Sequence, residues 1–279
     1  MAVSDISLTS GMRNNLLALQ DTNKLINRTQ DRLSTGKRVN TALDNPTNFF
    51  AAQAHNSRAA DLSSRKDSMS EAVQAVKAAD AGIKAITALI EAAKGVASAA
   101  QATQSTVDRA NYAKTFDEIR GQIDKLSQDS GYRGTNFLGK DKETLTVEFA
   151  PKTGDSTLTI QGFNATSAGL TINAAGTNWE ADGSTGTKAI TTSAGELEKA
   201  LDALRSESSK LSANLSVVTT RQDFTDTMIN TLTIGADNLT LADMNEEGAN
   251  MLMLQTRQNL GISSLSMASQ AAQAVLRLF

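Results

Sequence analysis

GANMLMLQTRQNLGISSLSMASQAAQAVLRLF, residues 248–279, carries only two charged side chains, Arg257 and Arg277. Its apolar and small residues recur at steps of three and four, and the same face extends back to Leu241 with one three-three slip near Met251. This spacing predicts one side of a long helix, in which the slip is a local overwinding. Because a helix with so little charge would expose a large apolar surface, we expect most of it to be buried against other helices.

A matching face lies at the other end of the chain. From Leu8 to Leu33 the apolar residues again keep steps of three and four, with polar positions at Asn23 and Gln30. Two such faces predict that the terminal helices pair as a coiled coil and then pack on neighbouring copies of the chain. The residues expected in this packing are Leu8, Met12, Leu16, Leu19, Ile26, Leu33, Met251, Leu254, Gly261, Leu265, Ala268, Ala272, Val275 and Phe279.

Three further helices are predicted in the interior. The first begins at Asn45–Pro46, where proline suits the first helical position, and runs to about residue 103. At about 1.5 Å per residue it would be on the order of 80 Å long. The second ends before Ser130–Gly131, and the third follows an apolar face from Leu197 to Leu232. The fold class is therefore mainly α, an elongated antiparallel helical rod or coiled coil.

The interior helices are interrupted by a segment with a different composition. Residues 143–149 and 157–160 alternate with period two, which predicts a β-hairpin around the turn Pro151–Asp155. Leu170–Ile172 is predicted to form a third short strand, and residues 176–188, including Trp179, a long loop. The rod thus carries a small β-hairpin-containing insert.

Composition excludes several classes of function. The chain has no cysteine, which excludes disulfides, zinc–thiolate sites and thiol catalysis, and its one histidine, His55, excludes a two-histidine metal site within one chain. A net charge of −3 argues against nucleic-acid binding. No apolar run approaches the roughly 18 residues of a membrane span, and the N-terminus lacks the pattern of a cleaved signal peptide. We therefore predict no enzyme activity, catalytic residue, cofactor, metal, nucleic acid or membrane partner.

Several local motifs resemble bacterial flagellin. The most specific is LSTGKRVNTALDNP, residues 33–46, which follows the family pattern that joins the terminal helix to the first rod helix. Residues 242–247, residues 132–138 and the tail from Gln255 to Phe279 are also similar to flagellin segments. The junction residues that match the pattern are Leu33, Gly36, Arg38, Asn40 and Asp44.

The resemblance implies both an architecture and a function. Residues 1–36 with 240–279 would form an inner coiled-coil domain, 37–132 with 193–239 a helical rod domain, and 133–192 a β-rich outer insert. The chain would self-assemble into the helical filament of the bacterial flagellum, outside the cell, for motility. Its implied partners are further copies of itself, alone or mixed with paralogous flagellins, and the flagellar type III export apparatus, an export chaperone, the filament cap and the hook-junction proteins. Export would proceed without a cleaved signal peptide.

Three other interpretations of the sequence compete with that of a filament subunit. A hook–filament junction protein has similar termini, but such proteins usually carry less complete forms of the 33–46 and tail motifs. Some flagellins carry a metalloprotease in the insert, which needs H-E-x-x-H, and no histidine follows His55. An unrelated coiled-coil adaptor would explain the terminal faces but neither the hairpin nor the junction motif.

One segment of the long helix departs from the family. In many flagellins an innate immune receptor recognises a stretch resembling L-Q-R-V-R-E-L-A, and counting back from Tyr132 aligns it with residues 89–96. Glu91 and Ala93 stand where those flagellins have arginines, and Gly95 stands where they have leucine. Because lost interface anchors commonly cost about 2 kcal/mol or more each, we expect weak recognition or none.

Overall fold

The computed structural model describes residues 10–150, 156–181 and 183–276, with side chains as far as residue 274. Within these ranges lie five helices and two strands. The prediction of a mainly α fold with a small hairpin is therefore confirmed. The elements are α1 (Ser10–Thr35), α2 (Pro46–Ala102), α3 (Thr106–Asp129), β1 (Thr144–Glu148), β2 (Thr157–Gln161), α4 (Ser184–Thr240) and α5 (Met244–Leu276).

Side-chain caps fix where three of these helices begin. Asn45 precedes Pro46, and its Oδ1 accepts a hydrogen bond from the backbone N–H of Asn48 at 3.1 Å. At the start of α3, Ser105 Oγ accepts a hydrogen bond from the backbone N–H of Asp108 at 3.3 Å. Asp243 Oδ1 accepts from the N–H groups of Asn245 and Glu246 at 2.9 and 3.2 Å. Each cap satisfies donors that a helix N-terminus leaves unpaired, so the predicted start of α2 and the observed starts of α3 and α5 rest on local chemistry.

The chain divides into two compact units, Met1–Ser57 with Thr231–Phe279, and Arg58–Asn230. Helices α2 and α4 each contribute residues to both units. The three-part division expected from the sequence stays a prediction.

The Arg58–Asn230 unit is built around one hydrophobic core. Phe116 of α3 lies against Trp179, with ring centroids 4.9 Å apart, and the Trp179 indole N–H donates to Ser193 Oγ of α4 at 3.3 Å. Helices α2, α3 and α4 enclose this core together with the segment that follows the hairpin. Its largest fully buried side chains include Met69, Ile86, Ile90, Phe116, Ile123, Phe137, Leu138, Ile160, Trp179, Ile190 and Leu197.

The hairpin agrees with its prediction. Strands β1 and β2 pair antiparallel, with Thr146 opposite Thr159 and Leu145 opposite Ile160. Val147 and Ile160 are buried, whereas the threonines are exposed, as period-two alternation requires. The predicted turn at Pro151–Asp155 lies outside the described residues.

Two predictions about the rest of the insert are wrong. Leu170–Ile172 is a turn rather than a strand, with Thr171 at φ 57° and the Ile172 N–H bonded to the Ser167 carbonyl at 2.8 Å. Its alternating pattern arises because Leu170 and Ile172 are both buried under the turn. The expected loop at 176–188 is instead a 3₁₀ turn at Gly176–Asn178 followed by the start of α4 at Ser184. Burial of Trp179 and Ile190 holds this polar, weakly helical stretch against the core, which overrides its local propensity.

Candidate assembly surface of the terminal helices

The junction between α1 and α2 is held by backbone pairing and by one aspartate. Gly36, at φ 69°, closes α1 in a conformation that suits glycine, and its N–H bonds the Arg32 carbonyl at 2.8 Å. The Arg38 N–H bonds the Thr240 carbonyl at 2.7 Å, and the Ala242 N–H bonds the Gly36 carbonyl at 3.0 Å. The chain leaving α1 is thus tied to the chain entering α5.

Asp44 organises the loop that follows. Its Oδ2 accepts from the N–H of Thr41 at 2.9 Å, the N–H of Asn40 at 3.1 Å and the Thr41 hydroxyl at 3.1 Å. These bonds to the charged form, the Thr41 N–H foremost, hold the pKa of Asp44 below its ordinary value, and the positive charge of Arg28 acts in the same direction. Of the predicted junction residues, Gly36 and Arg38 take part in the backbone pairing, Asn40 and Asp44 form this loop, and Leu33 lies half-buried on α1.

The predicted pairing of the terminal helices is confirmed. Helices α1 and α5 pack against each other along their lengths. Gln258 of α5 donates from Nε2 to Asn23 Oδ1 at 2.7 Å. Arg32 and Glu247 form an ion pair at 2.6 Å, in which both side chains are largely shielded from water.

The packed face of α1 keeps four predicted residues, Met12, Leu19, Ile26 and Leu33, and its alternate positions are offset by one residue from the predicted ones. Its half-buried and buried positions repeat as a heptad: Met12, Asn15, Leu19, Thr22, Ile26, Thr29 and Leu33. The polar positions of the face are therefore Asn15, Thr22 and Thr29, whereas Leu16, Asn23 and Gln30 are exposed. Thr22 fits the packed face because its hydroxyl bonds the Ala18 carbonyl at 2.7 Å, which leaves its methyl group for packing.

From Met251 onward the packed face of α5 follows the predicted residues, whereas Leu241 and Met244, where the face was expected to begin, are exposed. Leu254 is buried, while Met251, Gly261, Leu265, Ala268 and Ala272 are half-buried. A methyl group placed on Gly261 would lie 2.6 Å from Leu19 Cδ2, so only glycine allows this approach of α1 without displacement. Most of the predicted subunit-packing residues thus pack within the chain, and their contact with neighbouring copies stays a prediction. Leu8 and Phe279 lie outside the described residues, as does the side chain of Val275.

A second set of apolar residues on these helices has no cover within the described structure. From residue 248 to the end of α5 the only charged side chain is Arg257. The spacing of the packed face did not reveal this set, although the low charge of residues 248–279 did signal a buried surface. Its exposed members are Leu16, Leu17, Leu25, Met244, Leu252, Met253, Leu260, Ile262 and Met267.

The three residues of the altered receptor segment do not share one face of α2. Glu91 and Gly95 are exposed, but Ala93 is buried in the core. Between them Lys94 forms an ion pair with Glu198 of α4 at 2.8 Å. A partner approaching this segment would meet Glu91 and Gly95, so the expected loss of recognition depends on those two positions.

The described residues contain neither a cluster that could hold a metal ion nor a helix that could span a membrane. No group of three or more His, Asp or Glu side chains comes together in them in a way that could hold a metal ion. None of the helices, as far as they are described, is long and apolar enough to cross a membrane.

Comparison with known proteins identifies the family. Residues 6–143 match the profile of the bacterial flagellin N-terminal helical region, and residues 194–279 match that of the C-terminal helical region. The chain is 29% identical to flagellin FljM of Caulobacter vibrioides over 100% of both chains, and 25% identical to flagellin C of Rhizobium meliloti over 95% of each. A crystal structure of Bacillus cereus flagellin overlaps 57% of this chain and 88% of its own at a TM-score of 0.47 and 15% identity. The two profiles, which flank the insert and include both paired helices, show that the chain belongs to the bacterial flagellin family and is a structural subunit of the extracellular flagellar filament rather than an enzyme.

Proposed function

We propose that this flagellin polymerises through exposed apolar side chains of α1 and through the side of α5 that carries Leu252, Met253, Leu260 and Met267. The observation that carries the proposal is the composition of α5, where Leu252, Met253 and Leu260 are each more than 60% exposed beside a single charge, Arg257. Each Å² of apolar surface removed from water contributes about 25 cal/mol, so covering a leucine-sized side chain contributes about 1.5–3 kcal/mol. Repeated along a filament, such contacts favour the polymer.

The two apolar faces of α5 would then have separate roles. The face that contains Leu254 and Gly261 holds α5 on α1, and the exposed face contacts neighbouring copies. Leu16, which was expected in subunit packing, lies on the exposed side of α1 and fits the second role. The other predicted packing residues whose side chains are described would act indirectly by presenting the exposed face. No observation favours the alternative of a hook–filament junction protein.

A pair of equally exposed residues tests the location of the contact. Leu260 of α5 is 67% exposed, and Val107 of α3 is 68% exposed. We expect Leu260→Asp to abolish seeded polymerisation, because it places a charge on the proposed contact, and Val107→Asp to polymerise as the parent chain does. Sedimentation and negative-stain microscopy would measure this, with circular dichroism as the check on folding. Normal filaments from folded Leu260→Asp protein would refute the proposed contact.

A truncation tests the same idea on a larger scale. A chain ending at Ala242 keeps the core of the Arg58–Asn230 unit but lacks α5. We expect it to retain most of its helical circular dichroism signal and to form no filaments. Pelletable filaments from this truncation would contradict the proposal.

The proposal extends to the partners of this flagellin in the filament and during export. Flagellins FljM, FljO, FljK and FljN of Caulobacter vibrioides all resemble this chain at 28–29% identity, which supports a filament mixed with paralogues. Family membership supports export through the type III apparatus without a cleaved signal peptide, with a chaperone, a cap and hook-junction proteins as partners. Mass spectrometry of purified filaments tests both points: it would identify any second flagellin and the N-terminal residue of this one.

We also propose that the receptor specific for the flagellin arginine motif responds weakly to this chain. The support is the exposed Glu91, which carries the opposite charge to arginine, and the exposed Gly95, which offers no apolar side chain. In a reporter-cell assay with monomeric protein, Glu91→Arg/Gly95→Leu should gain activity over the parent chain. Parent protein as potent as a flagellin that carries the motif would refute this.

A further inference from the structure

We infer that Met253 and Met267 form an oxidation-sensitive modification site that controls entry of this subunit into the filament. The inference rests on the proposed assembly surface. Both residues lie on α5, where they are 61% and 65% exposed, and Leu260 lies midway between them at 67%. Successive members are seven residues apart, so the three side chains form one stripe along the helix. We call it the Met253–Leu260–Met267 stripe.

The stripe is where oxidant chemistry would act on this protein. The chain contains no cysteine, so methionine sulfur is its most readily oxidised side-chain group. Met69 is fully buried and Met12 nearly so, whereas Met228 and Met251 are half-buried. Of the methionines with described side chains, Met244, Met253 and Met267 are the exposed ones, and all three belong to α5.

The reaction needs only a peroxide and a reachable thioether. Hydrogen peroxide transfers one oxygen atom to the methionine sulfur, the O–O bond breaks, the sulfur loses two electrons and the peroxide is reduced to water. The product, a sulfoxide, replaces an apolar group by a strong hydrogen-bond acceptor. An acceptor carried into an apolar contact without a donor costs about 1–3 kcal/mol, which corresponds to roughly a 5- to 150-fold weaker contact.

Assembly should therefore protect the stripe from oxidation, and oxidation of the stripe should inhibit assembly. In the free subunit the stripe is open and its sulfurs react. In the filament the neighbouring copy covers the stripe and slows the reaction. A subunit oxidised before assembly should be excluded from growing ends, and a methionine sulfoxide reductase, which reverses the chemistry, should restore it.

Met244 provides a matched control. It is also exposed on α5, but nine residues separate it from Met253, which places it about half a turn around the helix from the stripe. Replacing methionine by leucine removes the sulfur and keeps a similar volume, a swap that packed protein interiors usually tolerate. Met253→Leu/Met267→Leu and Met244→Leu therefore differ in the position of the lost sulfur.

The experiment compares the critical concentration for seeded polymerisation before and after hydrogen peroxide, with peptide mapping of each sulfoxide. We expect oxidation to raise the critical concentration by roughly tenfold or more in the parent chain and in Met244→Leu. In Met253→Leu/Met267→Leu the critical concentration should stay nearly unchanged. Sulfoxide reductase should reverse the rise, and Met253→Gln/Met267→Gln should reproduce it without oxidant.

Three results would overturn the inference. The first is normal polymerisation of parent chain shown by mapping to carry sulfoxide at both stripe positions. The second is that peroxide inhibits polymerisation of Met253→Leu/Met267→Leu as strongly as that of the parent chain. The third is that Met253 is oxidised at the same rate in the monomer and in the filament. Failure of unoxidised parent protein to polymerise would instead remove the proposed function, and the inference with it.

Discussion

The close approach of α1 and α5 at Gly261 gives a prediction with a defined sign. A Cβ at this position would lie 2.6 Å from Leu19 Cδ2 and 3.1 Å from Leu19 Cγ, so Gly261→Ala must displace the leucine or push the helices apart. Overpacking of this kind typically costs about 1–3 kcal/mol. The substitution also removes a glycine from a helix interior, which stabilises by about 1 kcal/mol.

Gly248 of the same helix separates the two effects. A Cβ added to Gly248 would meet nothing within 4 Å. Gly248→Ala should therefore show the gain in helix propensity alone. Because that gain is common to both variants, Gly261→Ala should be less stable than Gly248→Ala by about 1–3 kcal/mol.

The assay is thermal depolymerisation of filaments, followed by circular dichroism and sedimentation. A third variant, Leu19→Ala, removes the atoms that the new methyl group would meet. In the Leu19→Ala background, Gly261→Ala should no longer lower filament stability, and its effect should approach that of Gly248→Ala. If Gly261→Ala filaments matched those of Gly248→Ala in the presence of Leu19, the tight contact between α1 and α5 would be refuted.

Three further predictions concern α2, the Arg32–Glu247 ion pair and the Asp44 loop. In α2, a methyl group on Gly82 would lie 2.6 Å from Leu138 Cδ1, whereas one on Gly95 would meet nothing within 4 Å; chemical unfolding should therefore show Gly82→Ala destabilised by about 1–3 kcal/mol and Gly95→Ala stabilised by up to about 1 kcal/mol. Arg32→Met leaves the buried Glu247 carboxylate without its partner, so it should reduce filament stability more than the double variant Arg32→Met/Glu247→Leu does; a single variant as stable as the double one would contradict this. Because the pKa of Asp44 is lower in the folded chain than in the unfolded one, its stabilising contribution is full above the unfolded pKa and is lost as pH falls through the folded pKa; Asp44→Asn should thus remove part of the acid sensitivity of filament melting, and an unchanged pH profile would argue against this role.

Local sequence signals were sufficient to predict the elements that carry a helix-start signal or an alternating strand pattern. Asn45–Pro46 fixed the start of α2 to within one residue, and the period-two stretches located both strands. The insert beyond the hairpin was not predictable in this way. Its conformation depends on carboxylates of α3, since Asp124 accepts from the Ser167 N–H at 2.6 Å and Asp117 accepts from the Ala175 N–H at 3.0 Å. Such contacts join residues more than 40 positions apart, and no short pattern encodes them.

The offset on α1 has a more general cause. Asn23 and Thr22 are adjacent, and a step of three or four from Leu19 can reach either, so spacing alone does not choose between them. Thr22 lies on the packed side, because its hydroxyl bonds the preceding turn while its methyl group enters the contact. Asn23 lies at the edge, where Gln258 reaches it, whereas Asn15 lies on the packed side and donates from Nδ2 to the Gly261 carbonyl at 3.5 Å. The same reasoning separates the two faces of α5: small and polar residues at Gly261 and Gln258 suit close packing within the chain, whereas Leu260 and Met267 keep large apolar side chains on the open side. A helix that is apolar on both sides needs two partners, and within the described residues α1 covers only one of these sides.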